Sequence, residues 1–124
     1  MARIIVVDDE PTHLDLVSTT LERAGHEVLA VTDGTICLSL LTEGQIDLVV
    51  TDVFMPHLDG FQLMAAIHNH GDPFPVIGMT GGMKGCVKPF TDILERLGAV
   101  AVLTKPFSSD ELLSAVRSSL KPSP

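Results

Sequence analysis

Short apolar runs alternate with segments whose apolar residues recur at helical steps. Ile4 to Val7 is an unbroken β-branched run, the pattern of a strand buried on both faces. From Pro11 onward, Leu14, Val17, Leu21 and Ala24 stand three or four apart, which predicts a helix that Gly25 stops. Val28 to Val31 reads as a second strand. Asp33 is placed to cap a helix carrying Ile36, Leu38, Leu40 and Leu41, closed by Gly44. Ile46 to Thr51 predicts a third strand, and Asp59 can cap a helix through Phe61, Met64 and Ile67 that ends near Gly71 and Pro73. Pro75 to Met79 and Val100 to Leu103 are the remaining strands. Ser108 and Glu111 have the spacing of a capping box, ahead of one apolar stripe of Leu112, Leu113, Val116 and Leu120.

The pattern is weakest over 81–97, where Gly81, Gly82, Gly85 and Pro89 interrupt it; a helix is expected only from about Pro89 to Leu97, stopped by Gly98. Five strands alternating with five helices imply right-handed βαβ units and a parallel sheet covered on both faces. Ligands of such sheets bind beyond the carboxyl ends of the strands. There the sequence places Asp8-Asp9-Glu10 after strand one, Asp52 after strand three, Thr80 after strand four and Lys105 after strand five. Acids at 8–10 alone are equally well read as favourable charges at a helix N-terminus. Together with Asp52, Thr80 and Lys105 they describe a site. Two carboxylates about 5 Å apart repel by roughly 3 kcal/mol at an effective dielectric near 20, and a hard divalent cation such as Mg²⁺ relieves that repulsion.

Composition narrows the partners. The 124 residues carry 8 Lys+Arg against 16 Asp+Glu, a formal net charge of −8, which disfavours direct contact with nucleic acid or an anionic membrane. No apolar run approaches the ~20 residues of a membrane span. The N-terminus shows no signal-peptide pattern, and Cys37 and Cys86 form no disulfide framework, so a cytoplasmic domain is expected. The five histidines share no spacing with Cys or carboxylate ligands, and none is assigned to the site.

The chain resembles a response-regulator receiver domain of the chemotaxis-regulator type over nearly its whole length. The resemblance rests on Asp8-Asp9, Asp52 with Met55-Pro56 and Asp59-Gly60, Thr80 with Gly81, and Lys105-Pro106-Phe107. It implies an α/β, flavodoxin-like doubly wound sheet of five parallel strands in the order 2-1-3-4-5 with five helices. The receiver is expected over 1–121, with a short tail at 122–124. The resemblance further implies that Asp52 is the phosphoacceptor, and that Asp9, Asp52 and the backbone carbonyl of Phe54 ligate Mg²⁺, with Asp8 acting through water. Thr80 and Lys105 would bind phosphoryl oxygens, and the Lys105–Pro106 bond would be cis. The donor would be a sensor histidine kinase or a histidine phosphotransfer protein, and the output a downstream protein effector or a fused domain. Such a domain is not an enzyme in the turnover sense; it catalyses only its own phosphorylation and dephosphorylation.

Three departures from the family pattern carry expectations. Val102 stands where many receivers have an aromatic or His that turns inward behind the Thr80 position, so switching through Thr80 and Val102 is expected to be weak or rerouted. The glycine-rich stretch after Thr80 is longer than usual, which predicts a mobile loop and a shortened or displaced fourth helix. Phe54 is placed to shield the acceptor from water. Two rival functions are a receiver-like interaction domain that needs no phosphate and a haloacid-dehalogenase-like Mg²⁺ phosphatase. The phosphatase wants a second aspartate where Glu10 stands, and here Pro11 precedes Thr12. A flavin carrier of the flavodoxin type is disfavoured, because three acids would repel its phosphate.

Overall fold

A computed structural model describes residues 2–53, 60–69, 75–81, 95–96 and 98–120. Five strands, β1 (Arg3–Val7), β2 (Glu27–Val31), β3 (Leu48–Asp52), β4 (Val76–Gly81) and β5 (Ala99–Lys105), form one sheet. Its order is β2-β1-β3-β4-β5 and every pairing is parallel, as expected. The central strands explain the continuous apolar runs. Ile4 and Val6 of β1, Leu48 and Val50 of β3, and Ile77 and Met79 of β4 pack into one buried cluster. Ile5, Val7, Val49 and Val76, one residue out of phase, pack into another. A strand that meets a core on each face can leave no polar phase in its alternation.

Four helices are described: α1 (Pro11–Arg23), α2 (Gly34–Thr42), α3 (Gly60–Asn69) and α4 (Ser109–Ser119). Leu14, Val17 and Leu21 of α1 join Leu112 and Val116 of α4 on the first cluster. Cys37 of α2 and Leu63, Met64 and Ile67 of α3 cover the second. Each fully buried aliphatic side chain contributes about 1.5–3 kcal/mol of transfer free energy, so both helix pairs are fixed by their apolar stripes.

Local signals set the helix ends. The Glu10 side chain accepts the Thr12 N–H, with Pro11 at the first helical position. At the other end of α1, Gly25 has φ +96°; its N–H reaches the Glu22 carbonyl while His26 N–H reaches Leu21. That pairing is a Schellman closure, which requires the left-handed conformation glycine adopts without cost. Asp33 caps α2 through Thr35 N–H at 2.7 Å. Ser108 and Glu111 make both arms of the capping box of α4.

Several boundaries differ from expectation, for reasons in the backbone. β3 starts at Leu48 rather than Ile46, after Gln45 at φ +66° and with the Asp47 carboxylate accepting the Arg3 N–H at 2.8 Å. β4 and β5 run on to Gly81 and Lys105, because the ladder continues through the pairs Thr80↔Thr104 and Gly81↔Lys105. The Asp59 cap and most of the helix expected over 89–97 lie outside the described residues. Within that stretch Glu95 and Arg96 are helical, and Gly98, at φ +103°, donates to the Glu95 carbonyl.

Candidate functional site

β1 and β3 are neighbours, yet the chain leaves them toward opposite sides of the sheet, so their carboxyl ends border a crevice. Asp8 follows β1 directly and is fully buried; Asp52 ends β3 and its side chain is 10% exposed. Asp9 lies one residue outward and is exposed. One carboxylate oxygen from each of Asp8, Asp9 and Asp52 lies within 4.8 Å of the others. Three acids on two strand ends thus converge as the sequence predicts.

A buried carboxylate is costly unless it is paired and hydrogen-bonded, and Asp8 is both. Its Oδ1 accepts the Glu10 N–H at 3.0 Å. Its Oδ2 meets His13 Nδ1 at 2.5 Å and Lys105 Nζ at 3.5 Å. Lys105 Nζ lies 3.4 Å from Asp52 Oδ2 as well. The β4–β5 register explains its arrival: Gly81 opposes Lys105, and a Cβ built on Gly81 would stand 3.7 Å from the lysine Cδ, an ordinary contact. The small residue after Thr80 is therefore not demanded by Lys105. The Lys105–Pro106 peptide is cis.

Thr80 lies at the end of β4, next to the strand that carries Asp52. It is fully buried, and its hydroxyl has no hydrogen-bond partner among the described residues. An unpaired buried hydroxyl costs about 1–3 kcal/mol, so it is a group that a bound anion would satisfy. The oxygen donors suit Mg²⁺, which favours one or two carboxylates supplemented by water and phosphate. The residues present therefore fit both a hard cation and a phosphoryl group.

The structure brings together Asp8, Asp9, Asp52 and Lys105, with Thr80 on the adjoining strand end. Phe54, and with it the shielding expectation, lies outside the described residues, as do the loop beyond Gly81, His57 and Cys86. Val102 is partly buried against the cluster built on Ile5 and Val7. His13 is a correction: left out of the site by sequence, it touches the most buried acid. The signal available was its place five residues after Asp8, in the first turn of a helix opened by Pro11. Glu10, an acid beside the pair, is occupied as the α1 cap. Cys37, buried among apolar neighbours that push its thiol up to about 12, has no part in the site.

Residues 4–117 match the model of the response regulator receiver domain family. The chain is 38% identical over 117 residues to the transcriptional regulatory protein TcrA of Mycobacterium tuberculosis, covering 93% of this chain and 44% of that protein. It spans about half the length of the regulatory proteins it matches. A receiver domain protein from Clostridium thermocellum superposes with a TM-score of 0.88 at 33% identity, covering 97% of this chain and 94% of that one. The response regulator TrrA of Thermotoga maritima, solved with Mg²⁺ and BeF, superposes at 0.84 with 29% identity, covering 97% of this chain and 100% of that one.

Proposed function

The chain belongs to the response regulator receiver domain family of two-component systems, and from that premise we propose that Asp52 accepts a phosphoryl group from a phosphohistidine partner. The observation that carries this reading is the convergence of three carboxylate oxygens within 4.8 Å, with one ammonium shared between Asp8 and Asp52. Phosphoryl transfer asks little covalent chemistry of a protein beyond positioning and charge compensation. A carboxylate oxygen of Asp52 forms the new O–P bond as the donor N–P bond breaks, and the released imidazole nitrogen takes a proton from solvent. Lys105 leaves its shared position to hold a phosphoryl oxygen. The Thr80 hydroxyl, which has no partner among the described residues, donates to another.

Asp9 and Asp52, with Asp8 through water and the Phe54 carbonyl, are the residues that would hold Mg²⁺. When bound, the ion supplies positive charge against the acids and the incoming phosphoryl oxygens. A sensor histidine kinase or histidine phosphotransfer protein is the donor under this reading, and an effector protein or a fused output domain is the recipient of the signal. Val102 presents a short β-branched side chain, so no large ring rotation follows the movement of Thr80; the output is carried by other residues.

The phosphatase alternative would need Glu10 as a free acid, and its side chain is engaged as a helix cap. Incubation with Mg²⁺ and acetyl phosphate, followed by intact mass, separates the readings. The receiver reading expects one phosphoryl group per chain, lost in Asp52→Asn and without Mg²⁺. Sustained hydrolysis of a phosphomonoester would favour the phosphatase, and an unlabelled wild-type chain would reject the acceptor role.

A further inference from the structure

The contacts of Asp8 are unequal in a way that bears on Lys105. A carboxylate and an ammonium that are docked together sit about 2.7–2.9 Å apart. Lys105 Nζ reaches neither partner so closely, standing 3.5 Å from Asp8 Oδ2 and 3.4 Å from Asp52 Oδ2. The short contact to Asp8 Oδ2 is made instead by His13 Nδ1. A carboxylate only accepts, so the ring nitrogen donates. His13 is held for this task from two sides. It occupies the first turn of α1, and its ring meets that of Phe107 edge to face, centroids 5.6 Å apart at 80°. Phe107 in turn packs against the cluster of Ile4, Leu14 and Leu112.

We propose that His13 is a positioning residue for phosphoryl transfer: by filling the close donor position on Asp8 Oδ2, it keeps Lys105 from docking there and leaves the ammonium available to the group on Asp52. The proposal rests on the acceptor role of Asp52. Without the imidazole, Lys105 closes from 3.5 Å to about 2.8 Å from Asp8. At an effective dielectric near 20, that shortening favours the Asp8-docked lysine by about sevenfold. Transfer to Asp52 then slows by about the same factor. Affinity for Mg²⁺ does not fall, because no ligand to the ion is lost and Asp8 keeps its charge.

His13→Leu and His13→Asn are compared with the wild type. The asparagine amide nitrogen stands at the same remove from Cβ as Nδ1 and can replace the donor. Three readouts are taken: the Mg²⁺ dissociation constant by calorimetry, the rate of labelling by acetyl phosphate at saturating Mg²⁺, and the urea midpoint. The expected result is His13→Leu with Mg²⁺ affinity within about twofold of wild type, labelling about sevenfold slower, and His13→Asn recovering most of the rate. Labelling of His13→Leu at the wild-type rate would overturn the proposal. So would a loss that disappears as Mg²⁺ is raised, which would assign His13 to ion binding, or His13→Asn as slow as His13→Leu. A wild-type chain that takes no label would instead remove the acceptor reading, and this inference with it. Should the leucine variant fail to fold, the long-range ¹H–¹⁵N imidazole spectrum of the metal-free wild type decides. The proton is expected on Nδ1 of His13, and a bare Nδ1 contradicts the mechanism.

Discussion

Asp52→Asn should make the metal-free fold more stable although it removes the proposed nucleophile. The carboxylate is 10% exposed and lies within 4.8 Å of oxygens of both Asp8 and Asp9. At an effective dielectric near 20, each such pair repels by at least about 3.5 kcal/mol, with the exposed Asp9 contributing the smaller share after solvent screening. The attraction to Lys105 at 3.4 Å is about 5 kcal/mol on the same scale. Repulsion and attraction therefore come close to cancelling, and the desolvation of a nearly buried charge tips the balance. The amide keeps the shape and the hydrogen-bonding capacity while losing the charge, and Lys105 retains Asp8. A gain of about 2 kcal/mol follows, or roughly 6–10 °C in melting temperature for a chain of this size. The assay is paired urea and thermal melts in EDTA and in millimolar Mg²⁺. The gain should shrink with Mg²⁺, because binding stabilises the wild type by RT ln(1 + [Mg²⁺]/Kd). A variant no more stable than wild type in EDTA would refute the electrostatic argument, as would an advantage that Mg²⁺ leaves unchanged.

Three further outcomes test the fold. Cys37, buried and with a thiol pushed up to about 12, should resist alkylation at pH 8 in the native state and react in urea, read by peptide mass so that Cys86 is scored separately. Ser108→Ala removes one arm of the capping box on α4 and should lower stability by about 1 kcal/mol in urea melts; no loss would mean that packing of Leu112 and Val116 alone sets the helix start. Leu21→Ala opens a cavity at a fully buried position and should cost about 2–5 kcal/mol, a deficit that Mg²⁺ would not selectively repair.

The apolar pattern was most informative where side chains decide the structure. Ile4–Val7 and the 3–4 spacing of Leu14, Val17 and Leu21 are readable because burial on a strand or a helix stripe admits few alternatives. Thr104 and Lys105 belong to β5 through backbone pairing, which leaves no trace in hydropathy. Ile46 falls outside β3 because the Gln45 conformation and the Asp47–Arg3 bond fix the approach of the chain. At the site, Asp8 and Asp9 come just after β1, and Asp52, Thr80 and Lys105 stand in the last residues of β3, β4 and β5, so topology alone gathers them. His13 reaches Asp8 by the angle at which α1 leaves the Glu10 cap, and a sequence read along one dimension does not contain that angle.

The most direct measurement of the central claim is the chemical identity of the labelled residue. An acyl phosphate on aspartate is reduced by borohydride to homoserine, which peptide mass spectrometry then locates. After brief exposure to acetyl phosphate and Mg²⁺, homoserine is predicted at position 52 alone, with none when EDTA is present. Homoserine at position 8 or 9, or formation at position 52 independent of the metal, would contradict the account.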